Sequence, residues 1–367
     1  MRILYGVAGE GMGHAMRSRV VIDALAGRHD VEVVVSGRAH DYLKARESDR
    51  LGVTRIWGLS IVYEDNEVRN FRTVLRNVKG AVGGWPRNVK AYFEVAEAFQ
   101  PDVVVSDFET WSYLFGKRHR LPVVSLDNNQ IVNRCAHPPE VLEGKEREYR
   151  VAKGVVKAKL PGCFHYLVTT FFYPKVAKPR TTLHPPVLRP EILAARPEAS
   201  RHLLVYQTST SNPRLPEILR RSGVECRIYG LRRDLVRDER DGNLLWRPFG
   251  ERTFVEDLRT ARAVVSGGSF TLMSEAVFLH RPMLSIPVKK QFEQILNGRW
   301  LARLGFGQHA DEITGASLGE FLERVPEYEG RLAAYRQDGN RELLAKLDEV
   351  LDAAARGGPV EDEGAGG

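Results

Sequence analysis

The 367-residue chain is short of cysteine: Cys135, Cys163 and Cys226 are too few and too scattered for a disulfide framework or a zinc site, and they read as buried thiols. No apolar run approaches the ~20 residues needed to cross a bilayer, which excludes an integral membrane protein. There is no Asp-x-Asp triplet and no histidine cluster, so no metal or other cofactor is expected. The dinucleotide fingerprint is missing as well. The glycines of Gly9-Glu10-Gly11-Met12-Gly13-His14 have the wrong spacing, and Ser36-Gly37-Arg38 stands where a ribose-binding acid would be needed. Acids are absent from Val68 to Phe93, where Arg69, Arg72, Arg76, Lys79, Arg87 and Lys90 follow one another. Two readings of that stretch stay open, a solvated helix face and a surface for an anionic partner such as a bilayer. With a formal charge of only +7 and no platform of interleaved basic and aromatic residues, nucleic acid is not an expected partner.

What remains is globular, with 43% hydrophobic and 28% charged residues and enough length for two cores. Arg2–Val7 has one basic residue and runs straight into glycines, so it reads as a first strand and not a signal sequence, and the cytoplasm is the expected compartment. Short β-rich runs alternate with helical segments throughout, the pattern of an α/β fold with parallel sheets covered on both faces. Strands are expected at Arg2–Val7, Val31–Ser36, Thr54–Leu59, Val103–Ser106, Val123–Leu126 and Phe164–Phe171, with helices between them, including Thr73–Lys79. Proline-rich Lys178–Pro190 is the best linker. A second series opens at His202–Gln207 and continues through Val224–Tyr229, Asn243–Trp246, Ala263–Ser266 and Met283–Ile286, with a helix after Asn212-Pro213. The expected division is a first domain over 1–185, a linker over 186–200, a second domain over 201–340, a terminal helix over 341–356 and a disordered tail over 357–367.

Two strand-to-helix turns carry the chemistry. In the first, glycines allow a ligand close to main-chain N–H groups, and His14 at the helix start is suited to act as a neutral base. Asp107, at the end of the Val103–Ser106 strand, is the candidate to orient its ring, because neighbouring strand ends converge on one crevice in open α/β sheets. The second turn, Ser266-Gly267-Gly268-Ser269-Phe270-Thr271, brings free N–H groups, hydroxyls and a helix dipole to one point and is a diphosphate seat by its physics. Glu275, one turn later, is placed to accept from a ribose diol.

The continuation, Pro282, Pro287, Gln291, Glu293, Gln294 and Asn297, resembles the nucleotide-binding signature of inverting glycosyltransferases with two facing Rossmann-like domains, the GT-B fold. It is most similar to the UDP-glucuronosyltransferase-like group and the peptidoglycan lipid GlcNAc-transferases. The resemblance extends to Trp246-Arg247-Pro248-Phe249, which looks like the segment that meets the base, and to Gln207-Thr208-Ser209-Thr210, which looks like the turn approaching the phosphates. Gly13-His14 matches the family's Gly-His. The resemblance implies His14 and Asp107 as catalytic residues. It implies a donor site of Gly13, Thr208, Ser209, Arg247, Phe249, Gly267, Gly268, Ser269, Phe270, Thr271, Glu275, Glu293 and Gln294. The implied reaction is inverting transfer from a UDP-sugar, or a dTDP-sugar, to a hydroxyl of a lipid, an envelope glycan or a small molecule. A terminal helix packing back on the first domain is also implied. This chain departs from the pattern at Ser266, where many members have His, and at Glu293, where they have Asp, which leaves the donor sugar open. Alternatives are a non-hydrolysing UDP-sugar 2-epimerase and a non-catalytic nucleotide-sugar-binding subunit of a membrane complex.

Overall fold

The computed structural model describes residues 1–9, 12–58, 63–64, 67–68, 86–198, 201–208, 214–288 and 291–358. The expected helix at 73–79, the Asn212-Pro213 helix start, Ser209 and the tail from 359 lie outside them.

The first sheet is parallel throughout. Its strands are β1 (Arg2–Val7), β2 (Asp30–Val35), β3 (Leu51–Arg55), β6 (Val103–Asp107), β7 (Val123–Asp127), β8 (His165–Thr169) and β9 (Thr181–His184). A separate hairpin, β4 (Tyr63–Glu64) with β5 (Glu67–Val68), follows β3. The order in the sheet is β3-β2-β1-β6-β7-β8-β9. Runs such as DVEVVV and VVVSD are nearly continuously apolar, as strands covered on both faces must be. Helices α1 (Met12–Ala26), α2 (Ala39–Lys44), a helix over 86–99 ending in the π-helical α3 (Glu94–Phe99), and α4 (Thr110–Arg118) make the crossovers. Beyond β7 come α5 (Ile131–Arg134), α6 (Pro139–Leu142) and α7 (Glu146–Lys159).

After α8 (Pro190–Leu193) the second sheet is built from β10 (Leu203–Tyr206), β11 (Cys226–Tyr229), β12 (Glu239–Asp241), β13 (Leu244–Trp246), β14 (Ala263–Ser266), β15 (Met283–Ser285) and β16 (Gly307–His309). Its order is β12-β13-β11-β10-β14-β15-β16, parallel apart from β12. Helices α9 (Leu215–Arg221), α10 (Glu251–Thr260), α11 (Phe270–Phe278), α12 (Phe292–Arg303) and α13 (Gly315–Leu332) surround it. The final α14 (Arg341–Arg356) returns to the first domain, where Leu343, Leu347, Val350 and Leu351 join a core that includes Ile3 and Val105.

Two expectations need correction. The proline-rich 178–190 segment is not all linker: Thr181–His184 pairs with β8 as the edge strand of the first sheet, a place that tolerates flanking prolines. The third strand lies at Leu51–Arg55, upstream of the expected Thr54–Leu59.

In each sheet the parallel strand order reverses at the centre, between β1 and β6 and between β10 and β14. Crevices open at such switch points, outside the carboxyl ends of the strands. The two domains meet with these ends facing each other. Phe172 stacks on Trp300 at 4.9 Å between centroids and Phe171 on Phe270 at 6.0 Å. One buried hydrophobic cluster therefore runs from the first domain into the second.

Candidate functional site

The first turn is built backbone on backbone. A Cβ on Gly9 would stand 2.3 Å from the Ser36 carbonyl oxygen, so no side chain fits where the β1 and β2 turns pass each other. Helix α1 then presents His14, Arg17 and Ser18 on one face, by their i, i+3 and i+4 spacing, to the end of β6. His14 Nδ1 lies 3.0 Å from Asp107 Oδ1, bringing together the two residues expected as base and orienting acid. Asp107 also accepts from Arg17 Nε at 3.1 Å, from Arg17 Nη2, and from the Ser18 hydroxyl at 2.8 Å. Burial alone would raise this enclosed carboxyl, but Arg17 and His14 outweigh it and hold Asp107 well below the usual carboxylate range.

Arg17 Nη2 is also 2.8 Å from His14 Nδ1. A guanidinium only donates, so this contact suits the tautomer with a bare Nδ1, whereas the Asp107 contact suits Nδ1–H. Either way the other ring nitrogen, on a side chain 22% exposed, is the one free to meet a ligand. Immediately after Asp107 the chain turns through Phe108 at φ +55°, a left-handed conformation that costs a bulky residue about 1–3 kcal/mol. That turn sends Phe108 away from the dyad toward a cavity.

Sequence reasoning missed Arg17, Ser18 and Asn128. Arg17 Nη1 donates to Asn128 Oδ1, and Asn128 Nδ2 donates to Glu293 Oε1 of the second domain at 2.5 Å. His14, Asp107 and Glu293, a residue expected near the donor sugar, thus belong to one hydrogen-bonded chain across the seam. Asp127, ending β7 beside Asp107, is pushed up to about 6 by burial and by its acidic neighbour, although the Ser125 hydroxyl and Gln130 amide both donate to it. The strand endings VVVSD and VVSLD were the available signal for this pair.

In the second domain, Gly268 takes φ +84° and Ser269 caps α11 without any side-chain hydrogen bond to the helix. The Ser269 side chain therefore caps none of the first-turn amides of α11. The Thr271 hydroxyl donates to the Gly13 carbonyl at 3.3 Å, so the starts of α1 and α11 touch and bring two positive helix ends together. Gln207 and Gln294 carbonyl oxygens both lie within 3.7 Å of where a Gly267 Cβ would stand, and Gln294 accepts from the Val288 amide at 3.1 Å. Phe249 is exposed beside Phe254, and Thr208 is exposed at the end of β10.

Three expected donor residues are otherwise employed. Glu275 is buried, and Arg189 Nε and Nη2 reach its two oxygens at 2.7 and 2.9 Å, so no ribose diol meets it in this arrangement. Arg189 lies at the start of α8, between the sheets; burial disfavours its charge, but Glu275 and Glu251 more than offset that. Arg247 is held by Asp257 at 2.7 Å and Asp238 at 2.6 Å. The Phe270 ring is buried against Phe171, which leaves only its backbone amide for a ligand.

A cavity of about 620 Å³ opens at the ends of β1, β2, β3 and β6, and Phe108, the residue after Asp107, is in its wall. Trp57, Tyr92, Phe93, Phe108, Trp111 and Phe115 line it. The three cysteines are buried and unpaired, their thiols pushed up to about 12 by burial. Among the described residues no cluster of three His, Cys, Asp or Glu is placed for a metal, and no helix is long and apolar enough to cross a membrane.

Two Rossmann-like domains with their switch points face to face define the GT-B architecture. The chain belongs to glycosyl transferase family 1, whose model matches residues 1–326. It is 22% identical to an uncharacterized glycosyltransferase of Methanosarcina acetivorans, over 97% of this chain and 94% of that protein. Among solved structures, the kitacinnamycin glycotransferase shares the fold at a TM-score of 0.63 and 17% identity, covering 96% of this chain and 97% of its own. A UDP-glucosyltransferase of Polygonum tinctorium that glucosylates indoxyl is similar at 0.66 and 12%, covering 96% and 98%.

Proposed function

We propose that the protein transfers a hexose or N-acetylhexosamine from a UDP-sugar, or a dTDP-sugar, to an acceptor hydroxyl with inversion at the anomeric carbon. The observation that carries this reading is the contact of two helix starts, Gly13 with Thr271, beside the His14–Asp107 pair. Positive helix ends brought together favour an anion between them, and a nucleotide diphosphate supplies one. The acceptor hydroxyl loses its proton to His14 Nε2 as its oxygen attacks the anomeric carbon. Asp107 holds the Nδ1–H and balances the imidazolium. The bond from that carbon to the diphosphate oxygen breaks, and its electron pair leaves with the diphosphate, stabilised by the α11 amides, Ser269 and Thr271, with no metal required. Glu293 Oε2 and the Gln294 amide remain for sugar hydroxyls, and exposed Phe249 for the base.

His14→Ala should abolish release of UDP from a UDP-sugar in the presence of acceptor while leaving UDP affinity near normal. Retained turnover contradicts the assignment.

The acceptor belongs in the aromatic cavity, whose wall includes Phe108, the residue that follows Asp107. Val89, Phe93 (52% exposed) and Leu114 (58% exposed) border the cavity, with Arg118 beside them, and this supports peripheral contact with an anionic bilayer on the cytoplasmic side. In sedimentation with phosphatidylglycerol vesicles the protein should pellet; equal recovery in the supernatant with and without anionic lipid removes the membrane contact.

A further inference from the structure

The cavity at the ends of β1, β2, β3 and β6 is lined mostly by rings and aliphatic groups, and its charged members differ in how they are employed. Glu109 is committed: its Oε1 accepts from the Trp111 amide at 2.7 Å and its Oε2 from the Ser112 amide at 2.6 Å, so it caps α4. Its charge is spent on a helix start. The two cations are held less firmly. Lys159, the last residue of α7, is half-buried with its ammonium 4.0 Å from the centre of the Phe108 ring; it feels the charge of Glu109, but no ion pair joins the two. Arg118, in the last turn of α4, has no acidic partner among the described residues either.

These two are brought to one rim by the packing of α4 on the end of α7. The Tyr113 hydroxyl donates to the Pro161 carbonyl at 2.8 Å and Lys117 Nζ to the Gly162 carbonyl at 2.5 Å. Within the cavity wall the Thr110 hydroxyl is enclosed and has no hydrogen-bond partner among the described residues. The result is an aromatic slot with a hydroxyl in its wall and two cations among its lining residues that no described carboxylate holds in an ion pair, one of them set against a ring. An ammonium held over a ring and partly shielded from water gains from a counter-ion more than a fully solvated lysine does.

We propose that the acceptor is a ring-bearing or otherwise apolar hydroxyl compound that carries an anionic group, a carboxylate or phosphate, held by Lys159 and Arg118. This rests on the reading of the cavity as the acceptor site. The hydroxyl to be glycosylated points inward past Phe108 toward His14, and the anionic end stays at the rim. The group has two possible sources, a free aromatic acid and a lipid headgroup, which share this chemistry.

The test is direct binding, which does not depend on turnover. Quenching of tryptophan emission, with Trp57 and Trp111 in the wall, is titrated with 6-hydroxy-2-naphthoate and with 2-naphthol, alike but for the carboxylate. A charge-assisted contact should make the naphthoate bind about tenfold tighter, and added salt should narrow the gap. Lys159→Met and Arg118→Gln should each erode that preference while naphthol affinity and UDP affinity stay as they were. Both side chains lie at the rim, so neither variant threatens the fold. A parallel arm uses vesicles of phosphatidylglycerol against phosphatidylcholine; anion preference confined to vesicles assigns the group to a lipid and supports the proposal. Equal binding of the matched probes in both arms, or a preference that both variants retain, overturns it. Loss of UDP binding, with the naphthoate preference intact, would instead strike at the transferase reading and leave this site standing.

Discussion

Arg17 offers the sharpest test of how the base is held. Asp107 is fully enclosed and takes hydrogen bonds from Arg17 Nε and Nη2, His14 and Ser18, of which only the guanidinium brings a permanent charge. In Arg17→Met the stem packs much as before, but the carboxylate keeps its burial and loses that charge. Removing one partner of a buried ion pair costs about 3–5 kcal/mol, because the survivor stays desolvated and uncompensated. For a domain of this size each kcal/mol lowers Tm by about 2–4 °C, so the expected drop is about 6–20 °C. Asp107→Asn strands the guanidinium instead and should cost a similar amount. The double variant buries neither charge.

Its loss should therefore fall short of the sum of the two single losses by at least about 2 kcal/mol. Urea unfolding of the four proteins measures this coupling without reference to catalysis. Additivity within about 0.5 kcal/mol would refute the reasoning, since it would mean that the two groups do not compensate each other. At temperatures where Arg17→Met remains folded, a ring released by even ~1 Å should lower kcat about 10²-fold.

Asp127 should make stability fall as pH rises. Its folded value is raised to about 6 from the ordinary 3.8, so the folded chain holds the proton more tightly than the unfolded one. The stabilisation is complete below about pH 4 and is lost as pH rises through about 6, at ~1.4 kcal/mol per pH unit, which makes the ionised form cost about 3 kcal/mol at pH 7. Asp127→Asn should then gain most of that at pH 7 and almost nothing at pH 4; a gain independent of pH would contradict it. Glu275→Gln should lower stability by about 3 kcal/mol, the low end for a broken buried pair because Glu251 still holds Arg189 at 2.9 Å, and should leave UDP affinity within about twofold. A tenfold weaker UDP complex with an unchanged Tm would restore the ribose role expected from sequence.

The central strands were legible because both sheets bury their two faces and so demand unbroken runs of valine, leucine and isoleucine. Edges were not. β9 has four residues between prolines, β12 is exposed along its length, and β16 follows a glycine-rich turn, so none carries a run. The 18-residue α13 was hidden for a different reason. Its buried stripe, Leu318, Phe321, Val325, Tyr328 and Leu332, has helical spacing and a Thr314–Ser317 capping box precedes it, but Gly319, Pro326 and Gly330 interrupt the interior. In the site, the His14–Asp107 pairing followed from strand ends converging at a switch point. Arg17 and Ser18 share a helix face with His14, so their part was readable from spacing alone. The employment of Glu275 was not, because its partner Arg189 comes from the segment between the sheets, and no local pattern reports a contact 86 residues away.

The seam between the domains is unlike at its two ends, and the difference bears on how a donor is admitted. At one end Phe172 on Trp300 and Phe171 on Phe270 form a dry contact that no nucleotide group can replace, and it sets the angle between the sheets. At the other, the domains touch through Thr271 to Gly13 and Asn128 to Glu293, single hydrogen bonds between groups that sugar hydroxyls and phosphate oxygens can equally satisfy. Exchanging such a bond for one to a ligand changes the partner and not the number of bonds, so it costs little free energy. Because Asn128 also accepts from Arg17, a sugar hydroxyl that draws Glu293 away frees the Asn128 amide at the far end of the chain that fixes Asp107. On the proposed reading, donor occupancy and the setting of His14 are thereby linked through Glu293 and Asn128, and the apolar end holds the domains together as the exchange occurs.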